Sequence, residues 1–222
     1  GLATALQAAL GERGGVWFGW SGKTVHGHSG QLHELRDGPI RYLTVDLNRP
    51  DLDAYYNGFA NRTLWPLLHF RLDLVDYDRS TRQGYHRVNA LCADKLAPLL
   101  REDDTVWIHD YHLIPLAALL RERGIGCRIG FFLHVPMPSA DLLMAMPDHQ
   151  RLFSTLYAYD LLGFQTRRDN DRFQSYVRLY GGGRVVGDNL LEVPGGRRFR
   201  SGAFPIGIDT AQIATQAAAV QA

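Results

Sequence analysis

The densest group of chemically capable side chains is His109-Asp110-Tyr111-His112, which follows directly on a short apolar run from Thr105 to Ile108. A carboxylate, two imidazoles and a phenol in four residues can do three kinds of work. They could hold a metal, but such a site needs further His or Asp ligands from other elements, for which His134 and Asp160 are the candidates. They could be a polar strand end whose hydrogen bonds are satisfied locally. Or Asp110 could accept hydrogen bonds from a polyhydroxyl ligand, with Tyr and Trp side chains as flat apolar walls. Spacing alone leaves these open. His134 closes a second apolar run, Gly130-Phe131-Phe132-Leu133, just before Val135-Pro136-Met137-Pro138. Two strand ends of matching polarity favour one shared site, because ligands of open parallel sheets sit beyond the carboxyl ends of the strands. Gly181-Gly182-Gly183 lacks the strand-before, helix-after context of a phosphate loop and is read as a helix stop. Arg197-Arg198-Phe199-Arg200 is read as a solvated loop.

The elements that must carry these groups alternate. Helical patterns are expected at Gly1 to about Glu12, Asp51 to about Gly58 (with Asn48 as cap and Pro50 in the first turn), Leu67 to Leu72, Gly84 to Arg101, about Leu113 to Arg123, Ser139 onward, Asp148 to Tyr157, and Arg167 or Arg168 to Tyr180. Strands are expected at Val16 to Trp20, Ile40 to Leu47, Thr105 to Ile108, Arg128 to Val135, Leu161 to Phe164 and Ser201 to Ile206. Lys23 to Gly38 reads as a hairpin or surface loop, and Arg184 to Val193 as a strand or hairpin turning near Asp188-Asn189. Such alternation implies a Rossmann-like, doubly wound α/β fold with a mainly parallel sheet. Tyr56 and Trp65 are nine residues apart, so on one regular helix they face opposite ways. Gly58, Asn61 and Pro66 are expected to break that helix and let both aromatics reach one pocket.

Composition narrows the function class. The 222 residues carry 24 Lys plus Arg against 23 Asp plus Glu, a balance that argues against a nucleic-acid-binding surface. Cys92 and Cys127 form no Cys-x-x-Cys motif and are expected to be reduced, buried thiols. No apolar run approaches the roughly 20 residues of a membrane helix, and no signal peptide is visible, so a cytoplasmic location is expected. The chain opens without Met in a helical pattern, Gly1 to Leu10, where a βα unit should have a preceding strand. An amino-terminal strand is therefore expected to lie before Gly1, and its absence to leave an exposed sheet edge prone to aggregation.

Gly14 through Gly22, Tyr55-Tyr56-Asn57, Asn61 through Trp65-Pro66, Trp107 through Leu113, Gly130 through Pro138, Asp160 through Thr166 and Phe204 through Ile208 together resemble the trehalose-6-phosphate synthase family. The likeness runs through the whole chain in order, but covers only the first half of that two-domain GT-B glycosyltransferase. It implies transfer of glucose from UDP-glucose or another nucleotide-glucose to glucose 6-phosphate, with retention and without metal or other cofactor. Residues 1–208 would form the acceptor domain and 209–222 the start of the interdomain segment, with the nucleotide-sugar domain beyond.

The resemblance also implies roles. Tyr56, Trp65, Asp110 and, more weakly, Trp20 would contact glucose 6-phosphate, with Tyr56 near its phosphate. Trp65 and Val135 would shape the anomeric outcome, and His134 would approach the donor sugar. Gly1 would be the second of two glycines whose amides approach the donor phosphates. In the family mechanism the leaving phosphate accepts the acceptor's proton, so Asp110 and His134 would position and stabilise rather than attack. His109 and His112 are assigned to the scaffold. No nucleic acid or membrane partner is implied, and self-association into a homo-oligomer is compatible with this reading. The rivals are a pseudo-glycosyltransferase coupling cyclitol-type substrates and a sugar-phosphate-binding module without turnover.

Overall fold

The computed structural model describes residues 10–11, 14–207 and 210. Gly1, most of the helix expected over Gly1 to Glu12, and the tail from Asp209 other than Thr210 lie outside the described residues.

The expected α/β alternation is present, but the strands fall into two sheets rather than one. In the first, β1 (Gly15–Val25) runs parallel to β3 (Ile40–Asn48), whose other edge pairs antiparallel with β2 (Leu32–Asp37). The second has the order β4 (Thr105–His109), β5 (Arg128–Leu133), β6 (Leu161–Phe164), β9 (Arg198–Ala203), β8 (Leu190–Glu192), β7 (Arg184–Gly187). Its pairs from β4 to β9 are parallel, and the β7–β8 hairpin is antiparallel. The parallel strands are short, nearly continuous apolar runs, as burial on both faces requires; Phe131, Phe132 and Leu133 are all buried. Among the described residues the second edges of β1 and β4 have no strand partner, and Trp107 on β4 is 55% exposed.

The last strand begins at Arg198, not Ser201, and ends at Ala203. Phe199 explains the shift: it is buried between Tyr157 and Phe173, which draws the arginine-flanked segment out of a loop and onto β8. The long helix α3 (Arg79–Leu96) starts five residues before the expected Gly84, because the Asp78 carboxylate accepts from the Thr81 N–H and caps the helix there. The helices α4 (Leu116–Glu122), α5 (Ala140–Leu143) and α6 (His149–Phe153) are short, whereas α7 (Arg167–Tyr180) has the expected limits and stops at Gly181. Cys92 and Cys127 are buried free thiols, and burial pushes the Cys92 thiol up to about 12.

The largest departure lies between β3 and α3. Asn48 caps the helix by accepting from the Asp51 N–H at 2.8 Å. From there the chain is helical without interruption through α1 (Arg49–Leu52), a π-helix (Asp53–Leu64) and α2 (Trp65–Leu68). Neither Gly58 nor Asn61 breaks it, and Pro66, which has no N–H to donate, marks the change from the π-helix to the single turn of α2. Gly58 and Gly84 instead allow close packing. A Cβ at Gly58 would stand 2.7 Å from the Thr81 methyl, and one at Gly84 would collide with the Ala54 Cβ. The buried line of the π-helix is Tyr55, Phe59, Ala60 and Leu64; Tyr55 and Phe59 pack on Tyr85 of α3, with the Phe59 and Tyr85 rings 4.9 Å apart.

Candidate functional site

The π-helix places the aromatic wall. Hydrogen bonds of the i→i+5 kind, such as Trp65 N–H to Ala60 O, wind about 4.4 residues per turn, or roughly 82° per residue. Nine residues then return to within about 20° of the starting direction, where a regular α-helix would arrive on the opposite side. Tyr56, Asn61 and Trp65 accordingly stand along one line, roughly a quarter-turn from the buried Tyr55–Leu64 line. Tyr56 and Trp65 reach the same side through over-wide winding of an intact helix, not through a break in it.

Tyr56, 36% exposed, lies between two other rings: Trp20 at 5.7 Å and His112, stacked at 5.1 Å with 16° between planes. Trp20 is held by β1. Its indole N–H donates to Lys23 O at 2.9 Å across the irregularity at Ser21-Gly22-Lys23. That irregularity is tied to β3 by Asp46, whose buried carboxylate accepts from Ser21 Oγ at 2.5 Å and lies 2.6 Å from His33 Nε2. The Ser21 and His33 contacts hold the Asp46 carboxyl below the usual range. Asn61 Oδ1 accepts from the Tyr111 hydroxyl at 3.2 Å and joins the π-helix to the end of β4. Trp65, 42% exposed, stacks on His69 at 4.1 Å, with His69 Nδ1 2.7 Å from the Trp65 carbonyl.

Asp110 is the focus of this wall. Its backbone sits at φ 69°, ψ 167°, a region that is essentially glycine's. Two bonds impose it: the Asp110 N–H donates to Phe132 O at 2.8 Å, and its carboxylate accepts from the Tyr111 N–H at 3.0 Å. Burial raises the carboxyl's pKa, opposed by the Tyr111 N–H, by the charge and backbone N–H of His134, and by the charge of His69. Asp110 is therefore close enough to His134 and His69 to feel the charge of each. Val135 is half-buried against the core beside His134.

Two residues assigned to the scaffold join the site. His109 Nδ1 lies 3.0 Å from His134 Nε2, and burial, with the neighbouring His134 as a lesser cause, lowers the His109 pKa to about 4. His112 is sandwiched between Tyr56 and Tyr111, its Nε2 buried without a partner, and burial lowers it to about 4. His69 was missed altogether, although its i+4 spacing from Trp65 put it on the same helical line.

Asp160, weighed as a metal ligand, is not near these imidazoles. It precedes β6 at the amino end of the sheet, whereas His134 follows β5 at the carboxyl end. Its carboxylate accepts from Arg121, Arg197 and the Ile129 N–H at 2.9, 2.7 and 2.8 Å. Among the described residues, no group of three or more His, Cys, Asp or Glu side chains is arranged to hold a metal ion. What remains is a crevice with one half-buried carboxylate, several imidazoles and a row of aromatic faces, a chemistry suited to a polyhydroxyl ligand.

The model of glycosyltransferase family 20 matches residues 1–222. The chain belongs to that family. It is 49% identical over 216 residues to the trehalose-6-phosphate synthase of Sinorhizobium fredii, covering 96% of this chain and 46% of that protein. It superposes on an α,α-trehalose-phosphate synthase (UDP-forming) from Burkholderia xenovorans in complex with glucose-6-phosphate, with TM-score 0.92 and 46% identity over 98% of this chain and 49% of the other. A trehalose-6-phosphate synthase structure from E. coli, bound with UDP-2-fluoro glucose, gives TM-score 0.92 and 46% identity over 98% and 48%. The fold is thus that of part of a GT-B synthase, and the chain spans about half the length of the curated relatives it matches. Among the described residues no helix is long and apolar enough to cross a membrane.

Proposed function

We propose that this chain supplies the acceptor side of a retaining, metal-independent hexosyltransferase that moves glucose from UDP-glucose to glucose 6-phosphate, forming trehalose 6-phosphate. The observation that carries this reading is the strained, half-buried Asp110 carboxylate, close enough to His134 and His69 to feel their charge and beside the Tyr56–Trp65 wall, in a chain of this family. Asp110 grips acceptor hydroxyls as a charged acceptor of hydrogen bonds. Tyr56 and Trp20 flank the acceptor's phosphate end, and Trp65 with Val135 limits the orientation from which its anomeric hydroxyl can attack. His134 faces the donor sugar. Gly1 is assigned to the donor phosphates, residues 1–208 to the acceptor domain and 209–222 to the segment leading to a nucleotide-sugar domain. No side chain here serves as nucleophile: Asp110 and His134 contribute position and charge, and closure of two domains excludes water.

The test is UDP release by the full-length protein supplied with UDP-glucose and glucose 6-phosphate. Asp110→Asn and Trp65→Ala should each lower kcat/KM at least about a hundredfold, the scale of a misplaced reactant or a lost charged contact. Near-normal rates in both variants would remove this crevice from the reaction. A pure binding module releases no UDP, and a cyclitol-coupling enzyme releases none with glucose 6-phosphate as acceptor.

A further inference from the structure

The contact between His109 and His134 is unlike the other polar contacts of the crevice, because it joins two imidazoles. β4 and β5 are parallel neighbours in which His109 pairs with Phe132, so the last residue of β4 lies beside the end of β5. The rings stand 5.3 Å apart with 30° between planes, and the facing nitrogens, Nδ1 of His109 and Nε2 of His134, are 3.0 Å apart. Trp107 packs on His109 at 4.5 Å and Phe132 on His134 at 4.6 Å, so neither ring turns freely. Burial disfavours the charged form of both. Two neutral imidazoles at this distance share one hydrogen, so the tautomer of one ring dictates that of the other. The Asp110 carboxylate lies close enough to His134 that its charge opposes the effect of burial on that ring. His134 Nδ1 takes no protein hydrogen bond among the described residues.

We propose that His109 is a positioning residue for the transfer step: its Nδ1–H donates to His134 Nε2, so that His134 keeps one rotamer and presents Nδ1–H to the crevice as a donor. This rests on the reading of the crevice as a glucosyl-transfer site. His109 itself touches no substrate. It does to His134 what a carbonyl or carboxylate does to many functional histidines, fixing the tautomer from behind.

The experiment uses the full-length enzyme with His109→Phe, which keeps a flat ring but no donor, and His109→Asn, whose amide nitrogen lies near the Nδ1 position. In His109→Phe, kcat for UDP release should fall about ten- to a hundredfold while KM for glucose 6-phosphate stays within about twofold, and His109→Asn should recover most of the loss. An unchanged kcat in folded His109→Phe overturns the proposal, as does His109→Asn falling as far as the phenylalanine variant. Nitrogen-15 NMR of the wild-type imidazoles reads the bond without any turnover. His134 should carry its hydrogen on Nδ1 alone, and should become a mixture of tautomers in His109→Phe. A wild-type His134 protonated on Nε2 refutes the direction. Should the wild-type enzyme release no UDP, the transfer reading fails by itself, and the NMR result still decides the histidine pair.

Discussion

Asp110 offers a direct measurement of strain held at a site. Its φ of 69° with ψ of 167° falls where a Cβ is disfavoured, and such placements cost about 1–3 kcal/mol. Replacing Asp110 by Ala or by Gly removes the carboxylate equally, so the two variants differ only in the Cβ. Glycine escapes the strain but loses about 0.5–1 kcal/mol through the greater freedom of its unfolded chain. The net expectation is that Asp110→Gly is more stable than Asp110→Ala by about 1 kcal/mol, or about 2–4 °C in Tm for a domain of this size. Thermal and urea unfolding of the two variants measure it, with UDP release confirming that both are equally inactive. At nearly every other non-glycine position the order is reversed, Ala above Gly. Asp110→Gly melting at or below Asp110→Ala would therefore refute the claim that this backbone is strained. Asp110→Asn isolates the charge by removing it. Because burial raises the carboxyl's pKa, ionisation destabilises the fold, so the Asn variant should gain stability above the carboxylate's titration and lose that gain as pH falls below it.

Gly84→Ala should destabilise by about 1–3 kcal/mol, since the added methyl meets the Ala54 Cβ and the π-helix must move; unfolding midpoints decide, and an unchanged midpoint would mean that this packing is loose. His112, lowered to about 4, stays neutral in the fold while its unfolded counterpart binds a proton near 6.5, so its contribution is present above 6.5 and is lost as pH falls toward 4. Urea midpoints between pH 7 and 4.5 should drop less in His112→Phe than in the wild type, the difference approaching about 2–3 kcal/mol, and an equal drop would place the acid sensitivity elsewhere. Asp46→Ala should release the Ser21 and His33 contacts that fix the β1 irregularity behind Trp20, raising KM for glucose 6-phosphate several-fold, on the order of 1 kcal/mol, with little change in kcat. A fall in kcat with KM unchanged would contradict that placement.

What could be read from the chain in advance was whatever depends on local pattern. The apolar runs at Thr105 and Arg128, each ending in polar residues, announced two neighbouring parallel strands and placed Asp110 and His134 at one sheet end. The end of α7 followed from Gly181 as stop. What could not be read depends on partners distant in sequence. Arg197 to Arg200 looked like solvent-facing loop because three charges surround Phe199, and only the Tyr157 and Phe173 rings, 42 and 26 residues earlier, explain why that ring is buried. His109 and His112 were set aside because a histidine beside an aspartate has no visible ring partner in sequence. One is paired 25 residues on, and the other lies under a tyrosine from a different helix.

The π-helix shows a third kind of limit, since its signal was present and was read at the wrong period. The buried residues Tyr55, Phe59, Ala60 and Leu64 recur at intervals of four and five, and so do the crevice residues Tyr56, Asn61 and Trp65. A regular α-helix alternates three and four. Counted at about 100° per residue, Tyr56 and Trp65 could share a pocket only if the helix broke, so Gly58, Asn61 and Pro66 were read as the break. Counted at the period the buried residues themselves display, they already share it. Winding over-wide for twelve residues gives up ideal hydrogen-bond geometry, which is why such segments are rare and gather at functional sites. Here the return is an aromatic wall carried on a continuous helix, clamped to α3 through Gly58 and Gly84 and to β4 through Asn61 and Tyr111. A wall on a loop after a helix break would have had none of those three anchors.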